Sequence, residues 1–172
     1  MFENPLKGDT KEAVEGLKEA AITMVMITGD NSLTACYIAI KSGIADAFKR
    51  MLIVDCSGNE LEVEQYQQRT NSEGKQKMGR AEFFSSIDQE EDQLCLTGAA
   101  FSLLFEDVSE LTEKQKRLLL QCKVFARTKP LDKAKVVLAY QQMGRKTGMC
   151  GDGANDSRAL KQADVGLSLS ET

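Results

Sequence analysis

Residues 22–43 read Ile-Thr-Met-Val-Met-Ile-Thr-Gly-Asp-Asn-Ser-Leu-Thr-Ala-Cys-Tyr-Ile-Ala-Ile-Lys-Ser-Gly. The apolar run Ile22 to Ile27 predicts a buried strand, and it stops at the polar turn Thr28-Gly29-Asp30. Ser32 to Lys41 predicts a helix that Gly43 is placed to end. Strand, polar turn and helix in that order form the repeating unit of an α/β fold.

The same alternation extends both ways along the chain. Upstream, Asp9-Thr10-Lys11-Glu12 has the form of a helix cap, and Ala13, Val14, Leu17, Ala20 and Ala21 then share one helical face. Downstream, Met51 to Val54, Leu94 to Leu96, Val124 to Ala126, Thr147 to Cys150 and Val165 to Leu169 predict strands. Helices are predicted over Glu113 to Gln121, Asp132 to Met143 and Asp156 to Gln162, with Gly144 placed to end the second. The stretch 55–92 is rich in Gln, Glu, Ser and Lys and has no sustained period, so it reads as a polar surface excursion. The expectation is one α/β domain over 1–172. Its sheet should be Rossmann-like and parallel, with helices on both faces and ligands beyond the carboxyl ends of the strands.

Composition narrows the chemistry. The 172 residues carry a net charge of −4, against a general nucleic-acid binder. No apolar run approaches the ~18 residues of a membrane span, and the N-terminus has no signal-peptide stretch. There is no histidine, which removes imidazole bases, Ser–His and Cys–His pairs and most catalytic zinc sites. Cys36, Cys56, Cys95, Cys122 and Cys150 lack metal-ligand spacing and read as small buried hydrophobes of a reducing compartment. Any chemistry must run on carboxylates, hydroxyls, lysines and a hard cation held by oxygens.

Three polar segments sit beyond predicted strands. The hydroxyl of Thr28 and the amide of Gly29 are placed to donate to a phosphate oxygen, although the tripeptide equally suits a plain turn capped by Asn31 or Ser32. Gly151-Asp152-Gly153-Ala154-Asn155-Asp156 puts two carboxylates four residues apart on a glycine-rich turn, which suits magnesium or, alternatively, a tight turn capping the next helix. Lys133 falls in the first turn of a helix, where the dipole disfavours a cation, and an anion nearby would explain it. Its position works against the dipole, so a neutral replacement should slightly stabilise the chain.

Together and in this order, Thr28-Gly29-Asp30, the Phe-Ala-Arg-x-x-Pro segment ahead of Lys133, and Gly-Asp-Gly-x-Asn-Asp resemble the later signatures of the P-type ATPase phosphorylation domain. That domain belongs to the haloacid-dehalogenase superfamily. The opening Phe2 to Lys7, the segment Met149 to Asp156 and Gly166 to Glu171 look most like the fifth subfamily. Cation pumps usually carry Asp-Pro-Pro-Arg where this chain has Asn4 to Lys7, which puts the nucleotide contact of Asn4 and Lys7 in question. The resemblance implies that Thr28, Gly29 and Asn155 hold phosphoryl oxygens, and that Lys133 neutralises charge during transfer. Asp152 would bind Mg2+, Asp156 would support its water shell, and Asp30 would lie near the hinge to a nucleotide-binding domain.

The family's nucleophile is the Asp of Asp-Lys-Thr-Gly-Thr, a sequence these 172 residues do not contain. The expectation is an incomplete phosphorylation domain, inactive alone, from a longer pump with ATP and Mg2+ as its cofactors. Its partners would be a nucleotide-binding domain, an actuator domain and membrane helices, and no nucleic acid. The segment would lie on the cytosolic side of an endolysosomal or reticulum membrane. Two rivals stand beside it: a self-contained phosphatase of the same superfamily using Asp55, and a non-catalytic α/β binding module.

Overall fold

Successive side chains of the central strands face opposite ways, and helices bury both sets. A computed structural model describes residues 6–66, 74–88, 90–152 and 154–169. In chain order the elements are α1 (Thr10–Glu19), β1 (Met26–Ile27), α2 (Ser32–Ser42), β2 (Arg50–Ser57), β3 (Glu60–Gln65), β4 (Gln76–Met78), α3 (Arg80–Ser86) and β5 (Asp92–Thr97). There follow α4 (Gly98–Leu104), α5 (Glu113–Gln121), β6 (Cys122–Ala126), α6 (Pro130–Gln142), β7 (Gly148–Gly151), α7 (Ser157–Gln162) and β8 (Val165–Ser168).

Six strands form one sheet in the order β1-β6-β5-β2-β3-β4. The block β1, β6, β5, β2 is parallel, as the alternation with helices requires, and β3 and β4 extend it antiparallel. On one face Val54, Leu94, Leu96 and Phe125 pack with Phe83, Phe101, Leu118 and Val136. On the other, Ile53, Cys95, Val124 and Ala126 meet Ala35, Cys36 and Ala39 of α2. The ring of Phe101 stands edge-on to Phe125 at 5.5 Å and stacks on Phe105 at 4.9 Å. Each such buried ring contributes about 1.5–3 kcal/mol relative to exposure. The α/β class with helices on both faces is as the sequence predicts, and the sheet is mixed rather than wholly parallel.

The last two strands form a separate parallel pair, β7-β8. Asp164 fastens it to α6, accepting from Thr147 N at 2.9 Å, Lys146 Nζ at 3.1 Å and Gln141 Nε2 at 3.2 Å. These donors, the Thr147 amide foremost, hold its carboxyl well below the usual carboxylate range. Among the described residues no helix is long and apolar enough to cross a membrane.

Four expectations change in the folded chain. Instead of a strand from Ile22, the chain leaves α1 through Ala21 at φ 57°, and Ile22 is half exposed because its amide still bonds Leu17 O. Within 55–92 the described residues form β3, β4 and α3, anchored by the fully buried Leu61 and Phe83. A further helix, α4, follows β5 directly; its Ala100, Phe101 and Leu104 are all buried. Cys36, Cys95 and Cys122 are buried as expected, but Cys56 is half-buried and Cys150 is exposed.

Candidate functional site

The carboxyl ends of β1, β6 and β7 bring the polar segments to one end of the molecule. Thr28 leaves β1 with its amide bonded to Phe125 O of β6 at 2.9 Å. Its hydroxyl donates to Asp30 Oδ2 at 3.0 Å and accepts from Asp30 N at 3.1 Å, which closes the turn on itself. Asn31 then caps α2, accepting from Thr34 N at 2.9 Å.

The exit of β6 clamps that turn. Arg127 N donates to Asp30 O at 2.9 Å, and Thr128 donates to Thr28 O twice, from its amide at 3.1 Å and its hydroxyl at 2.9 Å. Arg127 adopts φ 50°, a left-handed conformation unusual for a residue with a side chain. A Cβ on Gly98 would lie 2.9 Å from Arg127 O and 3.3 Å from Thr128 Cα, so a glycine is what lets this corner pack against α4. Gly29 is different. A Cβ there would meet Thr128 O at 3.8 Å, an ordinary contact, so packing within this chain does not demand the glycine.

The corner leads straight into α6, whose amino end is capped by Asp132 Oδ2 accepting from Lys129 N at 2.9 Å. One residue later, Lys133 turns inward. It is 9% exposed, and its ammonium donates to Asp156 Oδ1 at 2.6 Å; Asp156 is likewise 9% exposed. The exposed helix start expected from the sequence is therefore corrected: a buried ion pair, invisible in local sequence, overrides the dipole. Gly151 makes room for it, because a Cβ there would lie 2.3 Å from Asp156 Oδ2 and 2.7 Å from Asp156 Cβ.

Asp152 and Asn155 are exposed beside this pair, on the turn between β7 and α7. Two carboxylates on one turn are a sufficient protein contribution for magnesium, which keeps most of its shell for water and phosphate. Among the described residues no group of three or more Cys, Asp or Glu forms a denser cluster. Lys7 precedes α1 and makes no hydrogen bond or ion pair with the other site residues described, while Asn4 and Gly153 lie outside the described residues.

Asp55 stands apart. It lies on β2, which β5 and β6 separate from β1, a displacement of about 14 Å at the usual strand spacing. Its carboxylate is engaged, accepting from Thr97 Oγ1 at 2.7 Å and Cys56 N at 2.9 Å, with Arg127 Nη1 at 3.5 Å. Sequence reasoning missed Thr128 and Gly98. The hydroxyl at 128 sits inside the recognised Arg-x-x-Pro segment, but only the fold shows what it bonds.

No family model matches the sequence. The chain is 35% identical over 181 residues to the probable cation-transporting ATPase 13A4 of Homo sapiens, covering 99% of this chain and 15% of that protein. It is 33% identical to the vacuolar cation-transporting ATPase YPK9 of Saccharomyces cerevisiae, covering 99% and 12%, and 34% identical to the polyamine-transporting ATPase 13A2 of Mus musculus, covering 99% and 15%. It thus spans 12–15% of the length of these relatives. Similarity along nearly the whole chain, to one segment of several such proteins, gives the assignment: the chain belongs to the P5-type cation- and polyamine-transporting ATPase family.

Proposed function

We propose that the chain is the C-terminal part of the phosphorylation domain of an ATP-driven transporter of cations or polyamines that works through an aspartyl-phosphate. The observation that carries this reading is the division of the sheet. Strand β1 is bonded only to β6, and β7 only to β8, so each presents an open edge among the described residues. Both edges end in site residues, Thr28 on one and Asp152 on the other. The Lys133–Asp156 pair ties α6 to the turn after β7, and Ile27 of β1 packs against the cluster of Val137, Met149 and Ala159. An additional parallel strand between the two edges would carry its own carboxyl-end residue into the middle of these groups. An Asp-Lys-Thr-Gly-Thr strand from elsewhere in a longer protein is the segment the family resemblance calls for.

In that arrangement each residue has a defined task. The open amide of Gly29, and the Thr28 hydroxyl once it turns from Asp30 to the phosphate, orient the phosphoryl oxygens, and the absence of a Cβ at 29 leaves room for that approach. Lys133, held by Asp156, supplies a fixed positive charge in a water-poor pocket, where such charge is most effective. Asn155 donates from the opposite side. Asp152 and Asp156 would hold magnesium, which when bound supplies further charge neutralisation. Before phosphate binds, Asp30 fixes the rotamer of Thr28 by accepting its hydroxyl proton, and it faces outward, toward the expected nucleotide-binding domain; Lys7 and Asn4 are the remaining candidates for that hinge.

ATP would reach the site through that domain, and an actuator domain and membrane helices would complete the pump. This segment would lie on the cytosolic side of an endolysosomal or reticulum membrane. The coding sequence upstream of Met1 tests the reading. Asp-Lys-Thr-Gly-Thr preceded by membrane spans supports it, and a stop codon directly before Met1 overturns it.

A further inference from the structure

The opposite end of the sheet carries a second set of charges that the phosphoryl site does not use. At the amino ends of β2, β5 and β6 lies a cavity of about 290 Å³. Three lysines from three elements line it: Lys18 from the last turn of α1, Lys49 just ahead of β2, and Lys123 at the start of β6. Its floor is firmly built. Gln93 bridges to Asp46, accepting from Asp46 N at 3.0 Å and donating to Asp46 O.

Two carboxylates, Asp46 and Asp92, share the cavity with the three lysines. Asp92 also lines it, but its carboxylate is fully used, by Arg50 at 2.5 and 2.9 Å and by Asp88 N at 2.8 Å. Asp46 accepts from Phe48 N at 2.9 Å on the rim. Lys49 donates to Glu90 O, and its charge also acts on the nearby Asp88 carboxylate. Lys18 and Lys123 make no hydrogen bond or ion pair among the described residues, although Lys123 is half-buried. Burial, together with the like charges of Lys49 and Lys18, holds the Lys123 ammonium below the usual lysine range. Three lysines and two carboxylates line the cavity, and Asp92 is already paired with Arg50, so a positive surplus is left that a bound polyanion would relieve. Leu120 on the cavity wall is 49% exposed, and Phe48, the residue before Lys49 in the chain, is 98% exposed.

We propose that this cavity binds a phosphorylated anion, either free or as the headgroup of a lipid, through Lys18, Lys49 and Lys123. A phosphate ester matches three convergent ammonium donors in charge and in acceptor number. The exposed ring of Phe48, next to Lys49 in the chain, has the pairing of apolar and basic groups that surface-bound lipid sites use. The site is at the far end of the sheet from Thr28 and Lys133, and its test is binding by this chain itself, so it stands or fails apart from the proposed function.

The test is calorimetric titration of the 172-residue chain with inositol trisphosphate at low salt. Saturable one-to-one binding is expected, weakened about tenfold or more in Lys123→Met and in Lys18→Met, and unchanged in Lys135→Met on the exposed face of α6. Lys18 is exposed on α1, so its variant keeps the test valid if Lys123→Met folds poorly. A parallel arm measures co-sedimentation with phosphatidylcholine vesicles with and without phosphatidylinositol bisphosphate. Binding that is lost in Phe48→Ala assigns the lipid as source, and binding of the soluble phosphate alone assigns a free ligand. No saturable binding, or equal weakening by all three lysine variants, overturns the proposal.

Discussion

Replacing Lys133 by Met should destabilise the chain sharply, although sequence reasoning about an exposed helix start expects a small gain. The ammonium and the Asp156 carboxylate meet at 2.6 Å, with side chains only 11% and 12% exposed. At an effective dielectric near 20 the attraction is roughly 6 kcal/mol, of the same order as the cost of burying both ions. The pair is therefore close to neutral as a unit, but either partner left alone in that pocket is costly. Lys133→Met and Asp156→Leu should each cost about 3–5 kcal/mol. For a chain of this size that lowers Tm by about 6–20 °C. Lys133→Met combined with Asp156→Leu should recover most of that loss, because an apolar pair of similar volume needs no desolvation. Urea unfolding of the four proteins gives the coupling directly. Single variants within about 0.5 kcal/mol of the parent, or strictly additive losses, would refute the buried pair. A recovered double variant would also show that the charges are not needed to fold the chain, which is expected of a site kept for phosphate chemistry.

Gly151→Ala should act on the same pair by sterics, costing about 1–3 kcal/mol in unfolding measurements, because its Cβ would lie 2.7 Å from Asp156 Cβ. An unchanged midpoint would mean that Asp156 sits elsewhere. Stability should decline on the alkaline side, since burial pushes the Cys122 thiol from 9.0 up to about 12. A raised thiol keeps its contribution below about pH 9 and loses it as pH rises toward 12, by roughly 2–3 kcal/mol at pH 11. Cys122→Ala should remove that increment from a pH series of melting curves, and an identical alkaline decline in both proteins contradicts it. The isolated chain should hydrolyse no phosphate ester with magnesium; turnover abolished by Asp55→Asn would restore the self-contained phosphatase.

Periodicity carried the reading wherever one physical signal dominated. The apolar runs of β5 and β6 and the boundaries of α2 and α5 follow from side-chain pattern and caps, because Gly43 at φ 87° and the Thr112–Gln115 capping box act locally. The stretch 55–92 was harder to read because Glu and Gln fill every outward position of β3, so Leu61 and Val63 are its only apolar marks. Helix α4 escapes a reading by period because Gly-Ala-Ala-Phe-Ser-Leu-Leu spans only seven residues, nearly all small or apolar, and shows no polar face. At the site, the residue types pointed to phosphate and a hard cation, but their partners did not. Lys133 meets Asp156 across 23 residues, and Thr128 reaches Thr28 across 100, contacts that only the sheet order creates.

The most direct test of the account is phosphoenzyme formation from labelled ATP by the longer transporter proposed to contain this chain. The account predicts a hydroxylamine-labile label that maps outside residues 1–172. Asp152→Asn should lower its rate of formation by about 10²–10³, the usual loss for one charge-stabilising group. Label recovered within residues 1–172, or wild-type phosphorylation by the Asp152→Asn protein at low magnesium, would contradict it.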